Sequence, residues 1–199
     1  MRVLVVGTGP AGVRRASDEL RDAGHDVVRC HEEGEPAFPC AALRDDRGCP
    51  LEHAPVDVVL DVHDDSTATP SPFEDGVACA VRRHLPLVVA GSGVHPYSRW
   101  VTREVDQDAD LVTVCEEAAA SPSEGHSSVA AEAARDSLEH AGVDPHGTSA
   151  RVLHRNGSLL VMLTLPAHPE ALESMVVARV VTAVREYDDH ARGVDVTIV

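Results

Sequence analysis

The sequence predicts a doubly wound, mostly parallel α/β sheet followed by a small α+β domain, and three observations carry that prediction. Short continuous Val/Leu runs recur at 3–6, 56–62 and 87–90, the pattern of strands buried on both faces. Segments of helical period separate them, which places the strands side by side in a parallel sheet. Beyond residue 120 the order changes to helix, hairpin, helix, strand, as in a sheet with helices over one face. The predicted domains are therefore 1–120 and 121–199.

The opening MRVLVVGTGPAG is a strand that ends in three glycines spaced G-x-G-x-x-G. Gly7 can make the tight turn out of the strand, Gly9 can let backbone approach a bound pyrophosphate, and Gly12 can let the next helix pack closely. Pro10 loses nothing in a first helical turn, and the helix dipole adds roughly 0.3–1 kcal/mol toward a negative ligand. Gly7, Thr8, Gly9, Pro10, Ala11 and Gly12 are thus the candidate anion-binding loop. A helix over 13–23, with Ala16 and Leu20 on one face and Gly24 as its stop, leads into a second strand over 26–30. The stretch VVGTGPAGVRRASDELRDAGHDVVRCHE resembles the NAD/FAD-binding Rossmann fingerprint. That resemblance implies NAD(P) or FAD as cofactor. It puts His31 at the place of the ribose-binding acidic residue, with Glu32 one position later.

Residues 33–55 read as a long irregular stretch carrying Cys40 and Cys49 after Cys30. No C-x-x-C pair is present, so the cysteines are read as free thiols and no metal is expected on them. VDVVLDV at 56–62 is a third strand, 63–72 a loop, 74–84 a helix and 87–90 a fourth strand. This series resembles the middle of a response-regulator receiver, with Asp61 where the phosphoacceptor would stand. Gly7, Thr8 and Gly9 replace the acid pair of that family and the chain has no Lys, so the likeness is one of topology, not activity. GSGVHPYSRW at 91–100 reads as a surface loop pinned by Trp100, 111–114 as a fifth strand, and the small, polar 118–128 as the linker.

In the second domain an Ala-rich helix over 129–141 precedes Asn156-Gly157, a strong hairpin signal between strands at 151–155 and 158–165. Leu159, Val161, Leu163 and Leu165 should face the helices, while Leu160, Met162 and Thr164 form a second face. That second face is apolar enough to pack on the first domain or on another copy of the chain. A 3.6-period helix over 169–188 and a strand over 194–199 complete the domain. The ending VVARVVTAVREYDDHARGVDVTIV resembles the alkaline shock protein family, which implies a stress-associated interaction module without catalytic residues and a homo-oligomer or protein partner through this domain.

A net charge of −16 excludes a nucleic-acid surface, and all 17 basic residues are Arg, which excludes Schiff-base and P-loop lysine chemistry. No apolar stretch is long enough to span a membrane, so a cytoplasmic location is expected. G-x-S-x-G and H-E-x-x-H are absent. His31, His63 and His95 each follow a strand and so share one sheet edge. In a chain with 12 histidines they are read as solvated. The expected function is a non-catalytic, nucleotide-sensing or stress-associated interaction protein, with a small NAD(P)- or FAD-dependent oxidoreductase as the alternative.

Overall fold

A computed structural model describes every residue except 33, 37, 45–47, 64–71, 92–94 and 169. The expected loop at 63–72 therefore lies mostly outside the described residues, as do three positions of the 91–100 segment. The chain divides into two compact units, Met1–Ser121 and Pro122–Val199.

The first unit runs β1 (Arg2–Gly7), α1 (Pro10–Asp22), β2 (Asp26–Arg29), α2 (Ala41–Arg44), α3 (Pro50–His53), β3 (Val58–Val62), α4 (Asp75–Arg82), β4 (Leu87–Ala90), β5 (Arg103–Val105) and α5 (Leu111–Ala120). Its five strands form an all-parallel sheet in the order β2-β1-β3-β4-β5. The apolar runs occupy its centre because they tolerate burial on both faces. Val3 and Val5 pack with α1 and α5 through Ala16, Leu20 and Cys115, whereas Leu4 and Val6 pack with Val77 and Ala80 of α4. Residues of β3 alternate in the same way: Leu60 belongs with the first group and Val59 with the second. Asp61, next on the Val59 side and wholly buried, is the exception that needs a partner.

Three expectations fail toward the end of this unit. Residues 111–114 open α5 instead of forming a strand, and the fifth strand is the short Arg103–Val105. The reason is a helix cap: Asp110 accepts from the Thr113 amide at 3.1 Å and from its hydroxyl at 2.8 Å, which starts a helix at the apolar run. The linker expected over 118–128 is also mostly helical, because α5 continues to Ala120 and α6 (Glu124–His140) starts five residues before the expected helix. Trp100 does not pin its loop either. It is 43% exposed and stacks on the Arg99 guanidinium at 3.9 Å, while its neighbour Tyr97 packs against the core.

In the second unit α6 is followed by β6 (Ser149–Arg155), β7 (Ser158–Thr164), α7 (Glu173–Tyr187) and β8 (Gly193–Ile198). β6 and β7 form an antiparallel hairpin in which Asn156 and Gly157 both take positive φ, 51° and 78°, as a two-residue turn of this kind requires. β8 pairs in parallel with β7, with α7 as the crossover. Leu159, Val161 and Leu163 are buried against α6 and α7, Leu165 packs at the margin, and Leu160 and Met162 are half-buried.

A candidate ligand and metal site at the sheet edge

The strand order reverses between β1 and β3, so the crevice outside their carboxyl ends is where an open parallel sheet takes ligands. The glycine loop starts there. Gly7 has φ +149°, and a Cβ on it would collide with the Val62 carbonyl of β3. The Thr8 amide then donates to that same carbonyl at 3.2 Å. A Cβ on Gly12 would stand 3.1 Å from Val62 Cγ1, so this glycine lets α1 lie against the end of β3. Gly9, at φ −98°, is the N-cap of α1, and Pro10 is in its first turn. The first-turn amides of Ala11 and Gly12 have no acceptor within the helix and can bind an anion.

Two cavities flank this loop. One, of about 280 Å³, is lined by Gly7, Thr8, Pro10, His31, Glu32 and Phe73 among others. The other, of about 320 Å³, is lined by Gly9, Ala11, Gly12, Arg15, His63 and Gln107, with Val62. All eight residues expected at the site thus border one of the two spaces. His31, expected to be solvated, is only 8% exposed and meets the Phe73 ring edge-on at 5.8 Å. Neither of its ring nitrogens has a short hydrogen-bond partner, the Pro36 backbone being a weak one. Burial first, and the Arg44 cation second, lower its pKa, which favours the neutral imidazole. Glu32 is exposed, and its backbone amide donates to the Glu35 carboxylate at 3.0 Å.

Beside the second cavity lies a group that sequence spacing did not assemble. Asp61 is on β3, His63 follows that strand, and His95 follows β4. His63 Nε2 is 3.0 Å and His95 Nε2 2.7 Å from the same Asp61 Oδ2. Glu74, in the 3-10 turn that leads into α4, places Oε1 3.0 Å from His63 Nε2. All four side chains are buried, which corrects the expectation of solvated histidines: a carboxylate inside the sheet draws the imidazoles in. Gly91, at φ +118°, makes the approach of β4 possible, since a Cβ there would stand 2.6 Å from the His63 carbonyl oxygen. Gln107 Nε2 donates to that carbonyl from the other side.

The electrostatics follow from burial and pairing. Burial drives the Asp61 carboxyl upward, yet the hydrogen bonds from His63 and His95 outweigh it and hold Asp61 below the ordinary aspartate range. The Asp61 hydrogen bond raises the His63 pKa against the opposing effect of burial. Among the described residues, Asp61, His63 and His95 are the group of metal-ligating type whose donor atoms converge, all within 4.8 Å of one another. The five cysteines are free thiols. Cys30 is pushed up to about 12 by burial and then by the neighbouring Cys49, Cys79 and Cys40.

The second unit holds a Ser-His-Asp arrangement of another kind. Ser123 Oγ lies 2.7 Å from His126 Nδ1, and His126 Nε2 lies 3.1 Å from Asp188 Oδ2. His126 has no exposed surface and is clasped edge-on by His154 and Tyr187. Ser123 is the N-cap residue of α6 and its amide is bonded to the Val152 carbonyl. This set fastens the start of α6 to the end of α7.

The fold and the site define a parallel-sheet α/β protein with a glycine loop and a buried histidine-carboxylate group on one edge. No protein-family model matches the chain, and comparison with curated proteins finds no significant relative. Among the described residues no helix is long and apolar enough to cross a membrane.

Proposed function

We propose that the first unit is a doubly wound, Rossmann-like module that binds a nucleotide or a related phosphorylated ligand and acts as a sensor, not as a catalyst. The observation that carries this reading is the convergence of Gly7, Thr8, Pro10, His31 and Glu32 on one cavity at the N-terminus of α1. The phosphate would lie on the first-turn amides of Ala11 and Gly12, which border the second cavity on the other flank of the loop. Val5, Val6, Val13 and Phe73 would cover the apolar part of the ligand. At about 280 Å³ the space is at the small end of ligand pockets, a size for a mononucleotide's nucleoside and not for a whole dinucleotide. The neutral His31 would meet a ribose hydroxyl where a carboxylate is usual, a hydrogen bond without an ion's discrimination. The second unit, in this reading, is the interaction module, docking through the face that carries Leu160 and Met162 onto a protein partner or another copy.

Calorimetric titration with AMP, NAD(H), NADP(H), FAD and CoA tests the ligand class. Binding of one or more, lost in Gly9→Val with the fold retained by circular dichroism, supports the reading. No binding by any of them removes it. A reduced-nicotinamide absorbance that falls on adding a reducible substrate, or a flavin absorbance that bleaches on adding an oxidisable one, would favour the oxidoreductase over the sensor.

A further inference from the structure

We propose that Asp61, His63 and His95 form a binding site for a divalent transition-metal ion of the zinc class, with Glu74 as the fourth protein donor or its immediate neighbour. This goes beyond the ligand reading above and does not depend on it.

Four features of the group point to a cation. The donor set, two imidazole nitrogens with one or two carboxylates, is the set that such ions take. Two of the three donor pairs also stand near the required spacing. Ligands held about 2.0–2.1 Å from a tetrahedral ion lie roughly 3.3 Å apart, and here the two imidazole nitrogens lie 3.0 and 2.7 Å from Asp61 Oδ2. The third feature is an orphan: Asp61 has no exposed surface, and its Oδ1 is buried without a hydrogen-bond partner among the described residues. A buried carboxylate oxygen left bare is costly, and a cation relieves it. Finally, His63 Nε2 stands 3.0 Å from Asp61 Oδ2 and 3.0 Å from Glu74 Oε1, so one N–H faces two carboxylates and can serve only one well. An ion among the three satisfies both.

The surroundings are those of a held site. β3 supplies Asp61 and, just beyond its end, His63, so two ligands are set by a strand at the sheet centre. The approach of the Gly91 backbone to the His63 carbonyl fixes that residue from behind. Gly76 does the same for the element carrying Glu74, since a Cβ on it would meet Val6 Cγ1 at 2.7 Å. His63 also borders the 320 Å³ cavity, so one side of the group lies toward that space.

One contact has to change on loading. The Tyr97 amide donates to His95 Nδ1 at 3.3 Å, which leaves the proton of a neutral His95 on Nε2, where it bonds Asp61. Binding an ion through Nε2 moves that proton to Nδ1 and ends the Tyr97 contact. The tautomer of His95 therefore reports the site.

The test is titration of chelator-treated full-length protein with zinc or cobalt(II) alone. The expected result is one ion per chain, a visible cobalt d–d spectrum of imidazole and carboxylate ligation, and displacement of the Tyr97 amide resonance with an Nδ1–H tautomer at His95. Asp61→Asn and His95→Gln should each weaken binding by about 100-fold or more, and Glu74→Gln by about 10-fold. Three results overturn the proposal: no stoichiometric binding to the folded parent, a thiolate-to-cobalt charge-transfer band that places the ion on cysteines, or binding unchanged in folded Asp61→Asn. If either variant fails to fold, the His95 tautomer and Tyr97 resonance of the parent decide alone, and their staying unchanged on saturation counts against the site.

Discussion

Asp61 and His95 are 34 residues apart in sequence, yet Asp61 Oδ2 and His95 Nε2 lie 2.7 Å from each other in the interior of the first unit. The pair exists because β3 and β4 are hydrogen-bonded neighbours, with Asp61 level with Val89. A parallel sheet brings the carboxyl ends of its strands to one edge whatever the chain between them. The polar group inside the sheet is therefore a product of topology, and the glycine loop is its neighbour for the same reason.

The roles of Gly7 and Gly9 separate by mutation. Gly7→Ala forces a Cβ into the Val62 carbonyl at a positive φ and should destabilise the protein by roughly 1–3 kcal/mol. Gly9→Ala, at φ −98°, should leave stability within roughly 1 kcal/mol and act on ligand binding instead. Urea unfolding of both variants checks this, and equal losses would show that Gly9 too is a folding requirement.

Asp110 gives stability a defined pH dependence. The amide and then the hydroxyl of Thr113 lower its pKa in the folded protein. A depressed carboxyl contributes above its unfolded value, about 3.9, and that contribution is lost as pH falls through the lower folded value. Asp110→Asn keeps an acceptor at the cap but cannot titrate. The melting temperature of the parent relative to this variant should therefore rise between about pH 2 and pH 5 and stay level above, the whole effect small because the group is exposed.

Thiol reactivity should follow burial. Burial pushes both Cys30 and Cys115 up to about 12, so neither carries appreciable thiolate at neutral pH. Cys79 is exposed. Under native conditions iodoacetamide should label Cys79 first and leave Cys30 and Cys115 unmodified until denaturant is added, as peptide mass mapping would read. Rapid native labelling of Cys30 would contradict the packing of α4 against β1.

The buried triad of the second unit should behave as a fastening. His126→Ala leaves Asp188 without its imidazole and should cost roughly 3–5 kcal/mol, whereas Ser123→Ala should cost roughly 1 kcal/mol as the loss of one hydrogen bond to His126. Denaturant titration of both gives the comparison. Hydrolysis of an activated ester by the parent that vanishes in Ser123→Ala would instead make Ser123 a nucleophile.

The strands and the glycine loop were legible because their signals are local. VLVV followed by G-x-G-x-x-G, the Asn156-Gly157 turn and the period of α7 each depend on a few adjacent residues. The start of α5 was equally local, since Asp110 and Thr113 form its cap, but the short apolar run after Asp110 fits strand and helix alike. The histidine-carboxylate group was half legible. His63 and His95 could be placed on the sheet edge from the ends of their strands. Their burial could not, because it follows from Asp61 pointing to the α4 side, and an Asp in VDVVLDV has no partner within its own segment. Glu74 was hidden further, since it reads as the first residue of a helix and only the packing of α4 on β1 brings it to His63.

The peptide that joins Val62 to His63 belongs to both halves of the sheet edge. On one side the Val62 carbonyl accepts from Thr8 in the glycine loop; on the other the His63 amide donates to Ala90, the last residue of β4. A ligand that drew the loop inward would tilt the same plane that aims an imidazole at Asp61. If the two occupants differ in the tilt they favour, each changes the other's affinity by one common factor, whichever binds first.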